Sequence, residues 1–287
     1  MTEKKLTIRG VEWSYATAGV RGRTAVLMFH GAVGGAEGLR WLADALGDEY
    51  YTVAPTVAPV HTLGEVCDAA SAILDREHVG RAVVFGGSFG GMVAQAFLKR
   101  HRRQVEHLIL LSTGAPDPAL ASRNELALKL TNWLPFRLTR GLMKAELSRH
   151  LRVPPGADAA MVERFKALGG RLDDYFERGL TKEVFRSRIL LSVDFSKHES
   201  YAPEDYEDWP GRVLLVESDN DPMIDAAARR RLRALYPRAL VCAFEGAGHL
   251  IPLLRAEELV GVVKAFIKDS YAPPDFGEHC PLHEEGR

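Results

Sequence analysis

The pentapeptide Gly86-Gly87-Ser88-Phe89-Gly90 sets a serine between glycines two positions before and two positions after it. On a tight turn from a strand into a helix, such a serine stands clear of the backbone, and side chains at the two flanking glycines would collide with neighbouring main chain. That makes Ser88 a candidate nucleophile for acyl transfer. A serine hydroxyl is a poor nucleophile at its free pKa, so a general base must take its proton and a carboxylate must orient the base. One recurrent chain order is serine, then acid, then histidine. His249, within Gly246-Ala247-Gly248-His249-Leu250, stands where the base is required, and Ser218-Asp219-Asn220-Asp221-Pro222 offers the acid. Asp221 is the preferred acid, Asp219 its competitor and Asp117 a more remote third. Asp221 before Pro222 also fits a competing structural role, a helix N-cap followed by proline at N1.

A tetrahedral intermediate needs backbone donors aimed at its oxygen. The Phe89 amide, directly after the candidate nucleophile, is one. The loop Phe29-His30-Gly31-Ala32-Val33-Gly34-Gly35 offers the second, through the Ala32 amide, because Gly31 lets the backbone turn toward the site. His30 is expected to brace this loop rather than act as a base. Gly34-Gly35 do not complete a GxGxxG fingerprint, so no nicotinamide is expected, and the mechanism requires no cofactor. His279, Cys280 and His283 in the tail lack a fourth ligand, so no metal site is expected there. Trp133, Phe136, Leu142 and Met143 are expected either to line an acyl pocket or to form ordinary cap core.

These residues can meet only if the intervening elements bring them together. Residues 5–9 and 11–16 pattern as an opening hairpin about Gly10. Residues 24–29 form a continuous apolar run, as expected of a strand covered on both faces. Helix over 37–46, strand over 51–54, helix over 63–77, strand over 81–85, helix over 88–100 and strand over 105–111 follow, predicting a doubly wound, mostly parallel α/β sheet. From 117 to 208 the pattern becomes mainly helical, a cap insertion, after which strand 212–216, helix 225–236, strand 240–244 and helix 256–268 resume the alternation. The expected organisation is therefore a core over 1–116 and 209–270, a helical cap over 117–208 and a tail over 271–287.

Composition limits the function classes. Hydrophobic residues make up 46% of the 287, enough to bury a core without staples, and 37 Lys+Arg against 38 Asp+Glu leave no field to attract nucleic acid or an anionic membrane. A small ester or other acyl compound is the expected partner. Cys67, Cys242 and Cys280 show no CxxC spacing, so no disulfide framework is expected. The start of the sequence lacks a signal-peptide apolar core, and no run approaches the roughly 18 apolar residues of a membrane span, so a cytoplasmic protein is expected.

Taken as a set, Phe29-His30-Gly31, Gly86 to Met92, Asp221-Pro222 and Gly248-His249 resemble the α/β-hydrolase superfamily over nearly the whole chain. The stretches 53–61, 83–95 and 232–237 are similar to maspardin-like proteins. The resemblance implies the α/β-hydrolase fold and a carboxylesterase-type serine hydrolase. Amide, thioester, lactone and carbon–carbon bond cleavage are further chemistries of the same triad. It equally implies a rival class, because maspardin-like proteins are regarded as binding proteins without an intact catalytic set; here His30-Gly31 and His249 are retained. Ala54-Pro55-Thr56-Val57-Ala58-Pro59-Val60 runs straight into a helix with no Asp-x-x-Gly loop of the kind many esterases carry, which predicts an open wall on that side of the site.

Overall fold

A computed structural model describes residues 1–150, 153, 157–198 and 200–268. In chain order the elements are β1 (Thr2–Ile8), β2 (Val11–Ala18), β3 (Ala25–Phe29), α1 (Arg40–Leu46), β4 (Tyr51–Pro55), α2 (Leu63–Arg76), β5 (Ala82–Gly87), α3 (Phe89–Arg100) and β6 (Val105–Leu111). Four helices come next: α4 (Pro118–Trp133), α5 (Phe136–His150), α6 (Ala159–Asp174) and α7 (Lys182–Lys197). The chain then closes with β7 (Val213–Ser218), α8 (Ala226–Leu235), β8 (Leu240–Phe244), α9 (Ile251–Leu254) and α10 (Ala256–Ile267).

The eight strands form one sheet in the order β1-β2-β4-β3-β5-β6-β7-β8. β1 pairs antiparallel with β2 and β2 with β4, and every other pairing is parallel. All five residues of β3 are buried because helices cover both faces of the sheet. Alternate side chains serve opposite cores. Leu27 and Phe29 pack on one face with Val84, Phe97 and Leu232, while Val26 and Met28 pack on the other with Phe85, Leu42 and Val263. The crossover helices thus leave the carboxyl ends of β3, β5, β7 and β8 converging at one edge, where open α/β sheets place their ligands.

α4 to α7 lie between β6 and β7, and α4 runs along α7, which in turn rests on α2 and α3. The described residues from α4 to α7 are mainly helical, as the sequence pattern predicts. Cys67 is buried in α2 and is not part of a disulfide. Cys242 is disulfide-bonded, which the spacing of the cysteines does not reveal. Among the described residues no helix is long and apolar enough to cross a membrane. The tail histidines and Cys280 lie outside the described residues.

One buried carboxylate ties the antiparallel edge to the parallel sheet. Glu77, just past α2, accepts from Lys4 Nζ at 2.9 Å, Tyr15 Oη at 2.7 Å, Tyr51 Oη at 2.6 Å and the Arg21 guanidinium. Burial alone would raise its pKa, but hydrogen bonds from Tyr51, Lys4, Tyr15 and Arg21 outweigh that and hold it at about 2. Glu77→Ala leaves two phenolic hydroxyls and two cations without their shared acceptor, and is expected to lower unfolding stability by about 3–5 kcal/mol. Urea denaturation should show the shift in midpoint at unchanged m-value.

Candidate active site

Ser88 sits between β5 and α3 with φ 52° and ψ −120°, a strained left-handed backbone for a non-glycine residue. Its neighbours explain both glycines of the motif. A Cβ on Gly86 would lie 2.2 Å from the Gly90 carbonyl oxygen, and one on Gly90 would lie 2.2 Å from the Phe29 carbonyl oxygen. Gly87 carries no such constraint, since its nearest contact would be an ordinary 3.6 Å to Leu111. The turn is pinned from both ends: the Ser88 amide donates to Leu111 O at 2.8 Å, and Thr113 Oγ1 donates to Ser88 O at 2.8 Å.

His249 lies on the loop after β8, with its Nε2 3.1 Å from Ser88 Oγ. On its other side Nδ1 lies 2.8 Å from Asp221 Oδ2 and 3.1 Å from Oδ1. A carboxylate only accepts, so this contact places the imidazole proton on Nδ1 and leaves Nε2 as an acceptor for the serine hydroxyl. Ser88, Asp221 and His249 are therefore brought into one hydrogen-bonded line.

The other two acids are elsewhere. Asp219 Oδ1 accepts from the Gly246 amide at 2.8 Å, and Asn220 Oδ1 accepts from the Gly248 amide at 2.7 Å. These two side chains grip the backbone on either side of Ala247, inside the loop that carries His249. Asp117 accepts from the Ala119 amide at 2.9 Å and pairs with Arg231 at 3.0 Å. The helix-cap role also falls to a different residue: Asp225 caps α8 through the Ala228 amide at 2.7 Å. Asp221 instead holds the turn before α8 by accepting from the Met223 and Ile224 amides at 2.8 and 3.0 Å, while its remaining oxygen reaches His249.

The Phe89 amide belongs to the first turn of α3, where helix geometry provides no intrahelical acceptor. Ala32 follows β3 in the loop that leads toward α1. His30, 2% exposed, fastens this loop: Nδ1 lies 2.7 Å from Gly31 O and Nε2 accepts from the Val57 amide at 3.0 Å. The sequence expectation of a bracing role agrees with this position. Burial, with the nearby Arg188 charge, lowers the His30 pKa to about 3. Because the folded pKa lies below the unfolded value of about 6.5, the unfolded chain binds a proton that the fold refuses, and stability falls as pH drops through that interval. Between pH 6.5 and 5 the expected loss is roughly 2 kcal/mol. Urea midpoints across that window should show the loss, and His30→Gln should remove it while retaining an acceptor for the Val57 amide.

The wall expected to be open is closed by α7. Ser187 Oγ donates to Val60 O at 2.6 Å, Arg188 Nη2 donates to Val57 O at 2.7 Å, and the Leu63 amide donates to Asp194 Oδ2 at 2.7 Å. Short-range pattern in 54–60 could not reveal this, because the covering helix is more than 120 positions away. The acyl-pocket expectation also needs correction. Trp133 is 89% exposed and Leu142 also faces solvent, while Phe136 packs against the Phe185 ring at 5.9 Å. A cleft of about 370 Å³ lined by Arg21, Tyr51, Glu77, His78 and Arg81 opens at the amino ends of the parallel strands, away from Ser88. Among the described residues no cluster suited to a metal ion occurs.

A doubly wound sheet of eight strands carrying a serine elbow after β5 and a histidine after β8 defines the α/β-hydrolase class. Residues 26–262 match the alpha/beta hydrolase family, and the chain belongs to it. Among relatives, human maspardin is 24% identical over 253 residues, covering 86% of this chain and 76% of maspardin. An uncharacterized hydrolase of Bacillus subtilis, YugF, is 21% identical over 281 residues, covering 92% of this chain and 97% of its own. Among solved structures, a thermophilic esterase from Thermogutta terrifontis superposes with a TM-score of 0.73 at 16% identity, covering 94% of this chain and 99% of the esterase.

Proposed function

We propose that this protein is a serine hydrolase that cleaves a small carboxylic ester through an acyl-enzyme. The observation that carries this reading is His249, in contact at once with Ser88 Oγ and with Asp221. Ser88 Oγ attacks the ester carbonyl carbon as its proton passes to His249 Nε2, and the Asp221 carboxylate stabilises the imidazolium so formed. The oxyanion is received by the Phe89 and Ala32 amides. Collapse breaks the bond to the alcohol oxygen, which takes the proton from His249. Water, deprotonated by the same histidine, then releases the acid and restores Ser88. The helices over 117–208 serve as a cap over this site.

A second reading is the one that the resemblance to maspardin-like proteins implies, a scaffold that binds a partner without turnover. An alkyl fluorophosphonate probe separates the two: covalent labelling of the wild-type protein and none of Ser88→Ala is the expected result. A panel of short to long p-nitrophenyl esters, with lactones and amides, then assigns the bond. Failure of the probe to label the folded wild-type protein would overturn the hydrolase reading.

A further inference from the structure

Arg188 of α7 is 7% exposed, yet most of its donors are unmet. A guanidinium carries five N–H groups in a fixed fork. Nη2 gives one to Val57 O at 2.7 Å, while Nε and Nη1 have no hydrogen-bond partner. Whichever Nη2 proton Val57 takes, one pair of parallel N–H donors stays available, either Nε with Nη2 or Nη1 with Nη2. The surroundings place the guanidinium against the residue that follows Ser88 and near the loop after β3. The guanidinium carbon lies 5.5 Å from the ring centroid of Phe89, the residue after Ser88, and its charge is felt by His30 at the head of the Ala32 loop. Tyr175, from the turn after α6, interacts electrostatically with Arg188 and approaches the Gly34 backbone in that same loop. The Tyr175 hydroxyl is also buried without a well-formed hydrogen bond.

A buried cation with unmet donors is costly, and its contact with an aromatic face offsets only part of that cost. Such a group persists where a ligand completes it. An anion both fills the donors and offsets the buried charge, and a planar one with two oxygens matches the parallel donors of a guanidinium fork. We propose that Arg188, assisted by the Tyr175 hydroxyl, binds a free carboxylate on the substrate, so that the ester cleaved at Ser88 is a half-ester of a dicarboxylic acid or a similarly anionic ester. This assignment rests on the hydrolase reading for the reaction, but the carboxylate site can be tested apart from it.

In the first arm, kcat/KM is compared for the mono-p-nitrophenyl ester of glutarate and for the same ester with its carboxylate converted to a primary amide. Wild type is expected to favour the anionic ester by at least about tenfold. Arg188→Gln should lose about 30–100-fold on the anionic ester and less than about threefold on the amide, and Tyr175→Phe should lose less on the same ester. The second arm needs no turnover: glutarate should bind Ser88→Ala by calorimetry, and Arg188→Gln in that background should abolish the heat. A merely structural arginine would lower thermal stability when removed. A substrate-binding one predicts that Arg188→Met leaves Tm unchanged or raised, since it removes a buried unpaired charge.

Equal rates on the two esters in wild type, or no glutarate binding to folded Ser88→Ala, overturns the proposal even if Arg188→Gln fails to fold. Glutarate binding that depends on Arg188, in a protein that neither labels with fluorophosphonate nor cleaves either ester, sinks the hydrolase reading and leaves the carboxylate site standing. A labelled, ester-cleaving enzyme indifferent to the carboxylate does the reverse.

Discussion

His249→Ala is expected to lower kcat for the best ester substrate by about 10⁵–10⁶-fold while leaving the fold intact. The size follows from what the imidazole does in the proposed reaction. Oγ of Ser88 has its hydrogen-bond acceptor in His249 Nε2 at 3.1 Å, and without it the attacking oxygen must form its new bond while still carrying its proton. The leaving alcohol and the deacylating water would lose their proton carrier in the same stroke. What survives is oxyanion binding and substrate positioning, which on comparable triads retain about 10³–10⁴-fold over water. Folding should tolerate the change because the histidine is only part-buried and its loop is gripped through backbone amides by Asp219 and Asn220. Circular dichroism and the urea midpoint of His249→Ala should therefore match wild type within about 1 kcal/mol. Turnover within tenfold of wild type would mean that another base serves Ser88.

How much of this was legible in the sequence depends on how locally each feature is determined. Gly86 answers to a 2.2 Å contact inside its own strand-turn-helix unit and Gly90 to one with Phe29 O on the neighbouring β3, yet the motif and its flanking pattern alone single out Ser88 as a candidate. The buried strands β3 and β5 declared themselves as unbroken apolar runs because both of their faces are covered. Chain order and a place just after an apolar strand pick out His249 as the candidate base. Arg188 did not, since nothing near it in sequence marks it as buried; its burial comes from α7 lying over residues 57–60. Trp133 and Leu142 misled for the complementary reason: apolar residues on an amphipathic helix give no sign of which face meets the core. Asn220, between two aspartates, carries no local sign of its role, although its amide oxygen holds Gly248 at 2.7 Å, next to the candidate base.

Asp221→Asn is expected to lower kcat by about 10³–10⁴-fold with little change in stability, while Asp219→Asn should cost less than about tenfold. Two aspartates a single residue apart differ this much because of what each oxygen touches. In Asp221, Oδ1 is taken by the Met223 and Ile224 amides, and Oδ2 faces Nδ1 of His249 at 2.8 Å. An asparagine there keeps its carbonyl oxygen on the two amides, because only an oxygen can accept from them. Its NH₂ group is then forced into the place of Oδ2, where it can only donate. Nδ1 must accept, the imidazole proton moves to Nε2, and the histidine presents a donor to a serine that needs an acceptor. The geometry survives and the tautomer is wrong. In Asp219, Oδ1 accepts from the Gly246 amide at 2.8 Å and from Ser218 Oγ at 3.5 Å, both of which an asparagine oxygen can accept equally well, so the loop bearing His249 keeps its shape. Replacing Asp219 by alanine instead frees that amide, and a rise in KM with a modest fall in kcat is the expected signature of a loosened loop. Steady-state kinetics of the three variants on one ester decide the matter: a deeper loss of kcat for Asp219→Asn than for Asp221→Asn would transfer the acid's role to Asp219.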